Sequence, residues 1–261
     1  MTALTSAAGL RSRLAGRRWI VRPQRVADPR LRVICFPHAG AGAAPFTPWA
    51  KRLPPEVELC AIRFPGRENR IDEPPIDDIR LLVDQLEPAV APLTDRPFVL
   101  LGHCSGSIVA FELARRLRAS CRSRPVLLVV SAVAGPSRRR ASEAIHRLPR
   151  DAFFERVAAY GGLDESVLAD PEVMELFETT LRADFRLAEE ARNTPGAPLD
   201  VPVLAVCGRA DPYVDIAAVS AWREETSEAF SLHLAETGHF ALDETMEKLT
   251  SLLPELLEGI R

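Results

Sequence analysis

The stretch Leu100-Leu101-Gly102-His103-Cys104-Ser105-Gly106 decides the fold that this sequence predicts. The apolar run before it is typical of a buried parallel strand, and the residues from Ile108 to Leu117 have the apolar spacing of a helix. A strand, a tight turn between two glycines and a helix form the context of a nucleophile elbow, whose usual pattern is G-x-S-x-G. Here Cys104 occupies the central position, and Ser105 follows one place later.

The residue types around Cys104 suit a reactive thiol. A nucleophile elbow is a strained turn, and glycines at 102 and 106 allow the strand and the helix to pass close together without a clash of Cβ atoms. The N-terminus of the following helix favours negative charge, which suits a thiolate. The alternative is that Cys104 is a small core residue, because free cysteines are often buried.

The bulk composition indicates one globular domain with an insertion. The chain has 261 residues, of which 47% are hydrophobic and 26% are charged, as in ordinary globular proteins. A net charge of -3 gives no bias toward nucleic acid or membrane, and no apolar run reaches the length of about 18 residues that a membrane span needs. The five cysteines form no CxxC pair, so we predict neither a zinc site nor disulfides, and we expect a cytoplasmic location.

Alternating strand and helix patterns predict an α/β fold with a mainly parallel sheet covered on both faces. Buried strands are predicted at 31–36, 57–64, 98–101, 126–130, 201–207 and 230–234, and helices at 45–53, 77–90, 108–117 and 243–257. Between residues 138 and 193 only helical patterns occur. We therefore expect a flexible leader at 1–18, a core formed by 19–137 and 196–261, and a helical insertion at 138–195.

A cysteine nucleophile needs a histidine base and an acid that orients the base. His239 lies between the last strand and the last helix, where α/β-hydrolases carry their base. Asp211 follows the strand that ends at Cys207, and the alternative acid, Asp215, is placed at the start of the next helix. The order Cys104, Asp211, His239 matches the α/β-hydrolase order of nucleophile, acid and base.

The predicted oxyanion hole uses two backbone N–H groups. One belongs to Ser105, the residue after the nucleophile, and the other comes from the glycine-rich loop after the first predicted strand, where Ala39 is the candidate. His38 either orients this loop or packs beneath it.

Five segments resemble one known family, the type II thioesterases, which are stand-alone α/β-hydrolases that accompany polyketide and non-ribosomal peptide synthases. The segments are Phe36-Pro37-His38-Ala39-Gly40, Phe64-Pro65-Gly66-Arg67-Glu68, Gly102-His103-Cys104-Ser105-Gly106, Leu181-Arg182-Ala183-Asp184-Phe185 and Gly238-His239-Phe240. The resemblance covers residues 19 to 258. It implies hydrolysis of acyl groups from the phosphopantetheine arm of carrier domains, without a cofactor of the enzyme's own, and a mobile helical lid formed by the insertion.

Cys104 departs from the serine that most members of this family carry. Attack of a thiolate on a pantetheine thioester exchanges one thioester for another, so the acyl-Cys104 intermediate stays activated toward thiols and amines as well as water. We expect hydrolysis through this intermediate. The alternatives are transfer of the acyl or aminoacyl group to another thiol or amine, and a catalytically inactive module that binds a synthase.

The expected partner is a carrier protein or a carrier domain. Carrier proteins present acidic helices, and arginines are frequent between Arg115 and Arg140, including Arg138-Arg139-Arg140. The alternative is an ordinary solvated face. We expect a monomer and predict no metal ion, nucleic acid or membrane as a partner.

Overall fold

The structure is a computed structural model that describes residues 18–120, 123–139, 144–161, 171–191 and 196–260. Of the predicted leader, only Arg18 is described. Arg140 of the arginine cluster and parts of the predicted insertion also lie outside the described residues.

The described residues form a seven-stranded sheet in the order β1-β3-β2-β4-β5-β6-β7. Its strands are β1 (Ile20–Val21), β2 (Leu31–Phe36), β3 (Val57–Ile62), β4 (Phe98–His103), β5 (Leu127–Ser131), β6 (Val203–Gly208) and β7 (Phe230–Ala235). β1 pairs antiparallel with β3, and all other pairs are parallel. This confirms the predicted fold. The sequence pattern missed β1 because two residues are too few to show an alternation.

Six α-helices lie within the described residues. They are α1 (Ile79–Val90), α2 (Ser105–Ser120), α3 (Arg150–Ala159), α4 (Pro171–Glu190), α5 (Ile216–Ser220) and α6 (Leu242–Gly259). The side chain of Asp78 caps α1 by accepting from the N–H groups of Arg80 and Leu81. The helix predicted at 45–53 is a 3-10 helix, Ala44–Lys51, with Pro48 inside it.

Strand β2 shows why the sheet is covered on both faces. Ile34 and Phe36 belong to one core cluster, whereas Val33 and Cys35 belong to another, and all four are fully buried. Successive side chains of a strand point to opposite faces, so a continuous apolar run buries both.

The described part of the insertion is helical and has a small core of its own. Ile145, Phe153 and Val157 pack with Leu181 of α4 in a third cluster, and no strand occurs in this part. Leu187 of α4, however, belongs to one of the two main core clusters, so α4 also packs against the core. Residues 140–143, 162–170 and 192–195 lie outside the description.

Candidate active site

The turn that carries Cys104 is strained, and neither flanking position, 102 or 106, has room for a Cβ atom. Cys104 directly follows β4 and has a φ of 50°, in the left-handed region that is costly for a residue with a side chain. A Cβ atom on Gly102 would lie 2.3 Å from Cα of Ser107, and one on Gly106 would lie 2.2 Å from the carbonyl oxygen of Phe36. The predicted close passage of strand and helix is therefore confirmed.

The ends of β6 and β7 bring Asp211 and His239 together. Nδ1 of His239 lies 2.9 Å from Oδ2 of Asp211, and both side chains are buried. The other carboxylate oxygen of Asp211 accepts hydrogen bonds from the N–H groups of Tyr213, at 2.8 Å, and Val214, at 3.2 Å. Asp211 is thus held in place by its own loop, and it turns Nδ1 of His239 toward itself.

The alternative acid, Asp215, has a different task. Its carboxylate accepts from the N–H of Ala218 at 2.6 Å and forms the N-cap of α5. The structure therefore brings Asp211, and not Asp215, to His239.

His239 presents its second nitrogen toward the site. Nε2 is buried and has no hydrogen-bond partner among the described residues. Burial lowers the pKa of His239, but the hydrogen bond with Asp211 and the interaction with Cys104 outweigh it and raise the pKa to about 10. An imidazolium near a thiol favours the thiolate, and a catalytic hydrogen bond that is not formed in an unliganded site can tighten when substrate binds.

Ala39 and Ser105 line the same cavity as Cys104 and His239. Among the described residues, the N–H groups of Ala39 and Ser105 have no hydrogen-bond acceptor. Two free backbone donors beside a nucleophile can bind an oxyanion. Both residues thus lie at the cavity that contains Cys104, and their role as oxyanion donors stays a prediction.

The loop that carries Ala39 is braced by an ion pair between distant parts of the chain. Asp184, on α4, accepts from the N–H of Gly40 at 2.7 Å and from both terminal nitrogens of the Arg67 guanidinium, at 2.7 and 2.8 Å. Arg67 also donates to the carbonyl oxygen of Ala41 at 3.0 Å. Both side chains are buried. The sequence motifs include Arg67 and Asp184, but the sequence alone assigned neither residue to the site.

His38 packs beneath this loop and stays neutral. Its ring lies edge-on to Phe240 at 5.0 Å and to His103 at 5.6 Å. Burial is the main reason that its pKa falls to about 4. His103 is fully buried, and its Nδ1 lies 3.1 Å from the hydroxyl of Ser131.

Two tyrosines cover His239. The ring of Tyr160, which follows α3, stacks on Tyr213 with the centroids 4.0 Å apart, and the two lie edge-on to His239 at 5.2 and 5.5 Å. The hydroxyl of Tyr213 donates to the carbonyl oxygen of Ala159. Burial, and then the nearness of Cys104, raises the pKa of Tyr160 to about 12. Neither tyrosine was predicted from the sequence.

Cys104 opens into a cavity of about 1270 Å³. This exceeds the range of about 300 to 1000 Å³ that is usual for small-molecule sites. Its walls include α4, Ile79 of α1 and the loop after β5, which carries Arg138 and Arg139. The described residues contain no His, Cys, Asp or Glu cluster that could hold a metal ion. None of the described helices is long and apolar enough to cross a membrane.

Comparison with known proteins agrees with this geometry. The family model described as "Thioesterase domain" matches residues 31–257. The gramicidin S biosynthesis protein GrsT of Aneurinibacillus migulanus is 34% identical over 90% of this chain and 92% of its own length. Thioesterase PikA5 of Streptomyces venezuelae is 33% identical over 88% of this chain and 82% of its own.

A solved structure adds the fold to this sequence similarity. The type II thioesterase BorB from the borrelidin biosynthetic cluster superimposes with a TM-score of 0.83 at 34% identity, over 92% of this chain and 97% of BorB. Since the family model covers most of the residues and two relatives exceed 30% identity over almost the whole length, the chain belongs to the type II thioesterase family.

Proposed function

We propose that this protein hydrolyses acyl or aminoacyl groups from the phosphopantetheine arm of carrier proteins, through an acyl-Cys104 intermediate. The observation that carries the proposal is Cys104 at a strained elbow that opens, together with His239 and its partner Asp211, into one cavity. The arm belongs to the partner and is part of the substrate, and the reaction needs no cofactor of the enzyme's own.

In the first step, Nε2 of His239 holds the proton of the Cys104 thiol, and the thiolate attacks the carbonyl carbon of the thioester. The negative charge moves to the carbonyl oxygen, which accepts hydrogen bonds from the N–H groups of Ala39 and Ser105. The bond between that carbon and the pantetheine sulfur then breaks. His239 returns its proton to this sulfur, so a free pantetheine thiol leaves and the acyl group stays on Cys104.

In the second step, a water molecule takes the place of the departed thiol. His239 removes one proton while the water oxygen attacks the acyl-Cys104 carbonyl, and the same two N–H groups stabilise the oxyanion. The carbon–sulfur bond to Cys104 breaks, and the thiol regains the proton from His239. The product is the free acid, and Asp211 orients the imidazole in both steps.

The relatives support the identity of the partner. GrsT is a protein of gramicidin S biosynthesis, and BorB comes from the borrelidin biosynthetic cluster, so both belong to natural-product pathways. We infer that this chain releases or edits groups bound to the carriers of such a synthase.

The insertion at 138–195 serves as a lid, since its Tyr160 covers His239 and two of its helices contribute to the cavity wall.

The test follows a labelled acyl group from a loaded carrier, with and without a second, unloaded carrier. We expect free acid at similar rates in both mixtures and an acyl adduct at Cys104 by mass spectrometry, and Cys104→Ala should form neither. Label that accumulates on the second carrier, with little free acid, would make the protein a transferase. Full turnover by Cys104→Ala would instead point to Ser105, and binding of carrier without any adduct would indicate an inactive module.

A further inference from the structure

Arg139 lies in the wall of the active-site cavity with its guanidinium buried. Its Nε and both terminal nitrogens are buried, and none of them has a hydrogen-bond partner among the described residues. A guanidinium carries five N–H donors, and burying such donors without acceptors is costly. The sequence grouped Arg139 with arginines that would form either a carrier-binding face or an ordinary solvated face, whereas the structure exposes Arg138 and buries the Arg139 guanidinium.

The neighbouring carboxylates balance this charge only in part. Burial lowers the pKa of Arg139, while Glu112 and Glu225 act in the opposite direction. Neither carboxylate accepts a hydrogen bond from the guanidinium, and Glu112 lies 3.7 Å from Arg115. Burial also raises the pKa of both glutamates, which disfavours their charged forms. Within the part of the chain that the structure describes, the donors of Arg139 are thus available to another acceptor.

The position of Arg139 suits the far end of a bound substrate. Ile108, one turn along α2 from the elbow, lines the cavity together with Arg139. Glu112 lies one further turn along α2, and at 1.5 Å per residue it is about 10 Å from the start of the helix. An interaction near Glu112 therefore leaves room for several bonds of a ligand between Arg139 and the thiol of Cys104.

We propose that Arg139 binds an oxyanion carried by the substrate, either a carboxylate at the far end of the acyl group or the phosphate of the pantetheine arm. This rests on the proposed function, because it assumes that a thioester occupies the cavity. Carboxylate and phosphate share the chemistry that a guanidinium recognises, namely two acceptor oxygens that accept parallel N–H bonds. Such a contact makes the enzyme selective for charged acyl groups or for the phosphorylated arm.

Matched thioesters separate the two sources of the anion. S-Hexanoyl-pantetheine is compared with S-adipoyl-pantetheine for the carboxylate, and with S-hexanoyl-4′-phosphopantetheine for the phosphate; octanoyl and suberoyl pairs vary the reach. We expect kcat/KM of the wild type to favour one anionic substrate by about tenfold to a hundredfold, as expected for hydrogen bonds to charged groups. Arg139→Gln should abolish this preference by lowering kcat/KM for the anionic substrate about tenfold to a hundredfold more than for hexanoyl-pantetheine.

The exposed neighbour provides the matched control, because Arg138→Gln removes the same charge at the next position and should keep the preference. A wild type that treats neutral and anionic substrates alike, or an Arg139→Gln variant that loses activity equally on all of them, overturns the proposal. The affinities of the wild type for unreactive thioether analogues, hexyl against 5-carboxypentyl, with and without the phosphate, give a second readout. Equal affinities would overturn the inference even if Arg139→Gln does not fold. Absence of thioester hydrolysis with selective binding would refute the proposed function alone.

Discussion

Asp184→Asn should slow the acylation of Cys104 and leave its alkylation unchanged. Asp184 accepts three hydrogen bonds, one from Gly40 and two from Arg67, and no solvent-exposed group can replace them because both side chains are buried. An asparagine has nearly the same shape, but its NH₂ group faces at least one of these donors. Arg67 then becomes a buried charge without a carboxylate.

The substitution should lower both the stability of the protein and the rate of acylation, and different measurements detect these two effects. Removing one partner of a buried ion pair costs about 3 to 5 kcal/mol of stability. Displacing an oxyanion donor costs on the order of a hundredfold to a thousandfold in rate. Since Gly40 adjoins Ala39, release of the Gly40 N–H loosens the loop that carries this donor. We expect the acylation rate to fall by roughly a hundredfold, the lower end of that range, because Ser105 stays in place.

Single-turnover acylation by acyl-pantetheine, followed by mass spectrometry, measures the first step. Iodoacetamide alkylates the same thiol without forming an oxyanion, so its rate reports on Cys104 and His239 alone. The matched control is Asp77→Asn. It removes one of the two carboxylates that pair with Arg186, a residue that also lies on α4, and this ion pair is exposed to solvent. It should change neither rate. Asp184→Asn would refute the reasoning if acylation stayed at the wild-type rate, or if alkylation slowed as much as acylation.

The remaining predictions concern the histidine and its acid. Asp211→Asn should lower kcat/KM strongly, whereas Asp215→Asn should change both activity and stability little, because the side-chain oxygen of an asparagine can still cap α5; the reverse order of activities would assign the acid to Asp215. The pKa of His239 is raised from 6.5 to about 10 in the folded state, so binding of a proton to His239 stabilises the fold. This contribution is complete below pH 6.5 and is lost as the pH rises toward about 10. The difference in Tm between wild type and Asp211→Asn should therefore shrink from pH 6.5 to pH 10, and a difference that grows would contradict the assignment.

Local sequence patterns were sufficient to predict those parts of the structure that depend on residues close together along the chain. The run before Cys104, the two glycines and the helix after them form one continuous segment, and the loops of Asp211 and His239 each follow an apolar strand. Parallel strands end at a common edge, so the order of the elements places these loops together.

The same patterns do not show contacts between distant segments. Arg67 and Asp184 are 117 residues apart, and neither has a local feature that distinguishes a buried ion pair from a solvated charge. Arg139 shows this limit most clearly, because it stands in a run of arginines that is typical of an exposed face. Its guanidinium turns inward in a loop that packs against residues far along the chain, where the N–H of Gly135 donates to the carbonyl oxygen of Ala218 at 2.8 Å. The stacking of Tyr160 on Tyr213 likewise joins the insertion to a loop of the core.

The contacts of Asp184 with Arg67 and Gly40 also limit how the insertion can move as a lid. The sequence treated residues 138 to 195 as one mobile unit, but α4 is tied to the core by Asp184 and by Thr180, whose hydroxyl donates to the carbonyl oxygen of Gly66 at 2.8 Å. Moving this part of α4 would break the buried ion pair and release the loop of Ala39. By contrast, α3 packs on Leu181 and Phe185 of α4 in the third cluster and meets the core only near its end. There Tyr160 contacts Tyr213 and His239, and the carbonyl oxygen of Ala159 accepts one hydrogen bond.

Opening should therefore begin at α3 while the second half of α4 stays closed. Amide hydrogen exchange measures this directly, because opening of α3 breaks one small cluster and the contacts of Tyr160, whereas opening of α4 also breaks the buried ion pair of Asp184. We expect rapid exchange in 150–159, slow exchange in 180–190, and protection of α3 when an unreactive thioether analogue fills the cavity. Asp184→Asn should accelerate exchange in 180–190 and leave 150–159 unchanged. Equal exchange rates in the two helices of the wild type would mean that the insertion moves as one body and that the brace does not hold α4.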